Sequence, residues 1–540
     1  MTITSEMANG RSTATRSAPG RINRSAALAV AVIGALSLGT IRPAHAEDAE
    51  LQALKKQVQE LQQRLDALAA RQAQAPSVAT TPAPAAATAS TGNAPVLHAG
   101  PVDVTLGGFV ELMVVGRSKN EAADWASNWN TAIPFPQSQN SQVNDFRLTE
   151  RQSRLSALAT APADDHVAAE AYIEADFGAG PRTGNNNEST SFSPRVRHFY
   201  ADYKDKDANW YLLFGQAWSL MTQNKHGIEQ RNELIPLIID GQYVPGFTWS
   251  RAPQVRFVKN FGSSVAFGVS VENPATLVGG KGCNYGSSTA VAATAPFCGT
   301  AGGSGYDANN NITLDPGPDI QAKFAFDPGW GHYEVFGIQR SFRDRVNLSN
   351  QTTSATSFGG SVLLPLIDKK LDFMASGLTG DGVGRYGSAQ LPDVTMGPGG
   401  KLAAIKGYSV LVGLTLKATP TLTLYAYGGR EHDDQTSFAV VTGGNSYAGY
   451  GSPLADNSNC LVEGSSSKCD ANTSSVTQET IGGWWKFYQG GLGNFQIGAQ
   501  LTHVKRDTYA GVGPTTGVLT APSTSMNVGE LSFRFYPYQK

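Results

Sequence analysis

The sequence predicts an all-β fold, a 16-stranded antiparallel transmembrane β-barrel preceded by a short N-terminal coiled-coil helix. From about residue 102 onward, apolar and polar residues alternate in short stretches, as in residues 265–271 and 531–535. Strict alternation is typical of a strand with one apolar and one polar face. The strands are numerous, their polar faces carry charge, and the chain begins with an export signal. These observations favour a barrel with lipid outside and water inside.

The first hundred residues divide into three segments. Residues 1–46 have a basic start, an apolar run at 26–39 and the cleavage pattern Ala44-His45-Ala46, which is typical of a signal peptide. Residues 47–71 carry leucine and valine at alternating spacings of three and four, which predicts a coiled coil of about three heptads. A single amphipathic helix is the alternative. Residues 72–100 are rich in Ala, Pro and Thr and predict a linker to the barrel at 101–540.

Charge and cysteine content exclude several classes of protein. The chain has 42 Lys and Arg against 44 Asp and Glu, so it lacks the basic excess expected of a nucleic-acid partner. The simplest pairing of its four cysteines is two local disulfides, Cys283 with Cys298 and Cys460 with Cys469, although other connectivities remain open. Neither pair has CxxC spacing or nearby histidines, so zinc is not expected. The sequence predicts neither a metal nor a cofactor.

Sixteen candidate strands follow the linker, joined alternately by short and long connections. Short turns on one rim and long loops on the other are typical of bacterial outer-membrane barrels, and sixteen strands leave an aqueous channel. The candidates lie near 103–115, 147–160, 167–177, 194–203, 209–217, 249–259, 263–272, 318–326, 331–341, 355–365, 370–378, 406–418, 421–431, 477–488, 494–506 and 526–538.

The parity of each strand predicts which side chains face the lumen. Glu170, Glu174 and Asp176 share one face of their strand, and a charge facing lipid costs a few kcal/mol, so the charged face is expected inside. A row of guanidinium groups in a narrow slot attracts anions, whereas the alternative is a wall of both signs. The predicted pore-lining cations are Arg154, Arg195, Arg197, Arg340, Arg534 and Lys323, together with Arg251 and Arg256, whose opposite parity requires a bulge or strand end.

The connection at 218–248 is the most informative loop. Its apolar run at 234–239 is unsuited to an exposed loop, which favours a loop folded inward against the barrel wall. Its Lys225, His226, Arg231 and Asp240 would then lie at a constriction. The alternative is an outward loop that packs between subunits.

Several segments together resemble the DcaP-like trimeric porins of Gram-negative outer membranes. They are GFVE at 108–111, RQSRL at 151–155, IEADF at 173–177, RVRH at 195–198, GQAWS at 215–219, RAPQVR at 251–256 and FRFYP at 533–537. The resemblance implies a homotrimer of sixteen-stranded barrels and passive uptake of small anions, dicarboxylates among them. It also implies that Arg154, Arg195, Arg197, Arg251 and Arg256 lie in a positive lumen.

The sequence therefore predicts an outer-membrane porin for small, preferentially anionic solutes, with outer-membrane lipid around it and its N-terminal stalk in the periplasm. Two alternatives remain: a structural protein whose stalk tethers the envelope through a periplasmic partner, and a general porin without anion preference. An enzyme is not expected, because the eight histidines are scattered and no GxSxG or HExxH motif occurs.

Overall fold

The computed structural model describes residues 96–121, 123, 125, 129–162, 164–183, 191–280, 314–346, 349–397, 401–440, 446–465 and 469–538. The predicted signal peptide, the coiled-coil helix and nearly all of the linker lie outside these residues. Cys283 and Cys298 lie outside them as well. The described part of the chain is essentially the barrel with its connections.

All sixteen predicted strands are confirmed, and they form one closed antiparallel barrel. The second strand is interrupted and contributes two segments to one barrel position. The strands, numbered β1 to β16, are Val102–Arg117, Asp145–Thr149 with Arg154–Pro162, Val167–Thr183, Ser191–Asp205, Trp210–Trp218, Arg251–Phe261, Val265–Glu272, Asp319–Phe326, His332–Val346, Ser349–Ile367, Leu371–Asp381, Lys406–Lys417, Leu422–Asp433, Thr473–Gly490, Gly493–Thr508 and Ser523–Tyr536.

The barrel closes where its first and last strands meet. Strand β1 pairs with β16 in a register that sets Val110 opposite Phe535, and both segments of β2 pair with the other edge of β1. A short extra strand, Val96–Ala99, pairs with the start of β1 beyond the end of β16. Closure leaves every barrel strand with two hydrogen-bonded neighbours, as a lipid environment requires.

The two faces of the barrel have the polarity that the sequence predicts. In β8 the inward Asp319, Gln321 and Lys323 are buried, whereas the alternate Ile320 and Phe324 are exposed. An apolar exterior and a charged interior invert the arrangement of a soluble β-protein. The strand pattern therefore places charge inside the barrel and large apolar side chains outside.

Within the described residues, no helix is long and apolar enough to cross a membrane.

The main hydrophobic core lies inside the barrel, between the wall and the connection from β5 to β6. We call this connection, residues 219–250, the inward loop. Its Ile239, Val244 and Phe247 pack in one buried cluster with Met113 and Trp484 of the wall. Other long connections also carry small elements, which lie at the barrel rim opposite the short turns. These are a short helix at Trp129–Ala132 and three hairpins, Val394–Met396 with Leu402–Ala404, Thr436–Val440 with Ser446–Tyr450, and Gly511–Val512 with Leu519–Thr520.

One of the two predicted disulfides lies among the described residues. Cys460 and Cys469 are bonded to each other within the connection from β13 to β14. Cys460 is fully buried and packs with Phe135 and Ala471. The disulfide therefore fixes part of the long-loop rim, as predicted for this pair.

Candidate functional site: the inward loop and the basic cavity

The inward loop is attached to the barrel wall through its backbone. The amide of Ile239 donates to Gln500 Oε1 at 2.8 Å, and the indole of Trp484 donates to the carbonyl of Leu237 at 2.7 Å. The amide of Leu237 also donates to the hydroxyl of Tyr427 at 3.1 Å. Side chains of three wall strands thus satisfy the backbone of the apolar run, which removes the penalty for burying unpaired amides.

Gly246 fixes the far end of this attachment. It has φ of +91°, and a Cβ there would lie 2.1 Å from the carbonyl oxygen of Val410. Its amide donates to Glu431 Oε1 at 2.7 Å. Only glycine combines this conformation with so close an approach to the wall. The inward position of the loop is therefore fixed at its middle, through Leu237 and Ile239, and near its end, at Gly246.

The loop and the wall enclose a cavity of 670 Å³, which we call the basic cavity. Five cationic side chains face it against three carboxylates. The cations are Arg154, Arg197, Lys225, Arg231 and Lys417, and the carboxylates are Glu174, Glu233 and Asp372. Burial raises the pKa of Glu233, which weakens its negative contribution. The cavity therefore has a net positive charge.

Arginines of β2 and β4 form a connected group on one wall. Arg197 contacts Glu174 Oε1 at 2.5 Å and Asp176 Oδ2 at 2.9 Å. Arg195 shares Asp176 at 2.7 Å, and Arg154 lies 3.8 Å from Glu174. Three guanidinium groups thus surround two carboxylates, and the surplus cation has no local counter-charge in this group.

Arg251 adds a fourth guanidinium despite its outward parity. As the first residue of β6 it is free of the strand's alternation, and its guanidinium lies 4.7 Å from the ring of Trp218. Burial would raise the pKa of Tyr243 on the inward loop, yet Arg197, Arg154 and Arg251 lower that pKa to about 8. A phenol is acidified in this way only where the local potential is positive.

Three of the cations predicted to line the pore face inward but are covered. Lys323 is 1% exposed and contacts Glu334 at 3.0 Å and the carbonyl of Thr222 on the inward loop at 2.7 Å. Arg340 is also 1% exposed and pairs with Asp319 and Asp393.

Arg256 is the third covered cation, and it donates to the carbonyl of Trp218. The pore-lining prediction for Lys323, Arg340 and Arg256 is therefore corrected. All three are buried, and Lys323 and Arg340 are covered by connections that they contact.

Arg534 lies at another part of the wall. It pairs with Glu111 at 3.0 Å and stacks 4.3 Å from the ring of Trp484. It faces inward, as parity predicts, but it is neutralised and it does not line the basic cavity. Its contacts join β16 to β1 at the barrel closure.

The four residues predicted at the constriction have separate positions. Lys225 and Arg231 face the basic cavity, and Arg231 contacts Glu170 at 2.8 Å. His226 is exposed on the same turn of the loop. Asp240 is 4% exposed, so its predicted place at an open constriction is wrong. It packs against the wall, where burial raises its pKa to about 7.

Several residues of the site were not predicted from strand parity. Lys417 and Asp372 form an ion pair of 3.0 Å at the edge of the basic cavity, near the short turns. Tyr243 lies within the inward loop, where no rule of alternation applies, and Trp218 is the last residue of β5. Arg506 lies outside the basic cavity and is absent from the predicted cations, although it shares the inward face of β15 with Gln500 and Thr502 and strand alternation could have identified it.

Metal ligation has no support in the described part of the chain, where no group of three or more His, Cys, Asp or Glu side chains is placed to hold an ion.

Comparison with solved structures gives the fold a context. The DcaP outer-membrane channel of Acinetobacter baumannii is 19% identical over 81% of this chain and 97% of its own, with a TM-score of 0.54. The anion-selective porin of Comamonas acidovorans is 12% identical over 81% of this chain and 99% of its own, with a TM-score of 0.43. No known family matches the chain by sequence, and neither does any curated protein. The likeness to DcaP-type porins that the motifs predict is therefore confirmed at the level of the fold.

Proposed function

We propose that this protein is an outer-membrane porin through which small hydrophilic, preferentially anionic solutes diffuse passively, dicarboxylates among them. The observation that carries the proposal is the basic cavity, where the inward loop narrows a sixteen-stranded barrel and sets five cations against three carboxylates. A narrow, poorly solvated passage with this charge attracts anions and repels cations.

Lys225 is the cation best placed to act on a passing solute. It is exposed on the inward loop, and it forms no ion pair within the described residues. The arginines behind it are partly neutralised by Glu174 and Asp176. An exposed ammonium over a partly neutralised wall adds positive charge where the passage is narrow.

The same proposal covers the surroundings of the barrel. The apolar exterior suits outer-membrane lipid, and the fold shared with DcaP supports a homotrimer in a Gram-negative envelope. The N-terminal stalk would lie in the periplasm, where a partner could bind it. Passive diffusion needs no catalytic group, so we expect no enzymatic activity.

The reversal potential of the full-length protein in a planar bilayer across a KCl gradient tests the proposal. We expect an anion-selective potential for the wild type. K225Q should lower the anion-to-cation permeability ratio about two- to threefold, because one unit charge several ångströms from the ion path is worth roughly 0.5 kcal/mol in a wet pore. K206Q is the matched control, since Lys206 lies on an exposed turn between β4 and β5.

A cation-selective wild type would overturn the proposal and favour a general porin. Equal ratios for K225Q and K206Q would show that the inward loop does not set selectivity.

A further inference from the structure

We infer that the mouth of the barrel holds a second anion site, centred on Arg506, which captures small organic carboxylates before they reach the basic cavity. Its basis is a cavity of 380 Å³ that we call the outer cavity. Connections from four parts of the chain meet there, at residues 130–131, 277–280, 390–392 and 471–473, and all belong to the long-loop rim.

Arg506 is the one charged side chain among the described residues that line this cavity. It is 8% exposed, so more than nine-tenths of it is buried. Its Nε donates to Thr473 Oγ1 at 2.8 Å, and its guanidinium lies 4.7 Å from the ring of Phe135. No carboxylate of the described chain lies within ion-pair distance. Its two terminal nitrogens are therefore left to the cavity.

The guanidinium is held in a fixed orientation. Thr473 Oγ1 accepts from Arg506 and in turn donates to the carbonyl of Asn130 at 3.0 Å. The hydroxyl of Tyr450 donates to the carbonyl of Thr473 at 2.6 Å. Thr473 occupies Nε, and the ring of Phe135 covers one face of the planar guanidinium. The free edge of the guanidinium therefore presents two parallel donors, the arrangement that a carboxylate accepts in bidentate form.

An unpaired buried cation is costly, whereas a bound anion removes much of that cost. The rest of the outer cavity suits the body of an organic acid. Leu277, Val278 and Pro392 form an apolar wall, and Asn472 contributes an amide. The volume of the outer cavity accommodates one molecule with a single six-membered ring, since the smallest ligand pockets measure about 300 Å³. The chemistry therefore indicates a small carboxylate with an apolar body.

The two cavities lie in series along the barrel. The outer cavity belongs to the long-loop rim, whereas Asp372 and Lys417 of the basic cavity adjoin the short turns at the ends of β11 and β12. An anion that enters between the long loops would meet Arg506 first. This place in transport rests on the proposed function, but binding itself can be measured without transport.

Calorimetric titration of the purified full-length protein with benzoate tests the site, with benzyl alcohol as the uncharged probe of the same size. We expect the wild type to bind one more equivalent of benzoate than R506Q, or the affinity of that equivalent to fall tenfold or more. R506K should bind more weakly than the wild type, because an ammonium lacks the bidentate edge. R430Q is the matched control, since Arg430 lies exposed near the same rim.

T473V provides a second variant, which keeps the charge and removes the acceptor of Nε. It should weaken benzoate binding several-fold, and heat-dependent electrophoretic mobility confirms that each variant holds a folded barrel. Unchanged stoichiometry and affinity in R506Q, or equal binding of benzyl alcohol and benzoate, would overturn the site. The KCl reversal potential of R506Q separates this inference from the proposed function, because the basic cavity should keep the channel anion-selective.

Discussion

Arg197 is the cation of the basic cavity with the most ionic contacts. Its side chain is 4% exposed and contacts both Glu174 and Asp176. R197M would leave these carboxylates with only Arg154 and Arg195, so we expect a loss of about 3–5 kcal/mol in the free energy of unfolding. The urea midpoint in lipid vesicles, followed by tryptophan fluorescence, measures this loss.

R195M is the matched control for that substitution. Arg195 is 31% exposed on its side chain, and within the described residues its one ion pair is with Asp176, so its loss should cost about 1 kcal/mol or less. Equal midpoint shifts for the two variants would show that burial does not distinguish these ion pairs.

At this scale the sequence could predict the direction of a side chain but not what covers it. Alternation correctly predicted that Lys323 and Arg340 face inward, because a strand has only two faces. It could not show that loops from other parts of the chain would bury them against Glu334 and Asp393. That depends on contacts between distant parts of the chain, which no local pattern records.

Among the elements, the inward loop has a protonation-sensitive contact with the wall. Asp240 Oδ1 accepts from the amide of Gln242 at 2.7 Å. Burial raises its pKa to about 7, and Glu121 acts in the same direction, whereas Gln242 and Arg117 lower the pKa. The carboxyl of Glu530 on β16 lies close enough to Asp240 to interact with it electrostatically.

The docked loop is therefore favoured when Asp240 is protonated. A carboxyl with a raised pKa stabilises docking fully below its solvent value near 4, and this stabilisation is lost as the pH rises through about 7. We expect single-channel conductance and its noise to increase above pH 7 as the loop loosens. D240N should remove that increase, because an amide does not titrate.

D165N serves as the control, since Asp165 lies on an exposed turn between β2 and β3. A conductance that rises with pH equally in the wild type and D240N would exclude Asp240 as the titrating group.

The elements themselves were predicted far better than their docking. Most strands repeat their alternation over eight or more residues, so β1 to β16 could be counted from the sequence. The apolar run of the inward loop predicted its burial. The loop is held by hydrogen bonds such as those of Leu237 with Trp484 and of Ile239 with Gln500, which join residues about 250 positions apart. A local sequence pattern cannot predict such contacts.

For the whole molecule, the apolar exterior should determine whether the barrel is stable in lipid. Ile481 of β14 is 60% exposed, and its cross-strand neighbour Leu501 is also exposed. It lies nine residues from the turn after Gly490, well inside the apolar band. I481K places an ammonium against acyl chains, so we expect a loss of about 2–4 kcal/mol. Urea titration of vesicle-embedded protein measures this change.

Gln489 supplies the control on the same strand, because it is exposed beside the short turn, where a lysine reaches the headgroups. Q489K should therefore cost about 1 kcal/mol or less. If I481K and Q489K were equally stable in vesicles, this face of the barrel would be covered by protein, as a subunit interface of the proposed trimer requires.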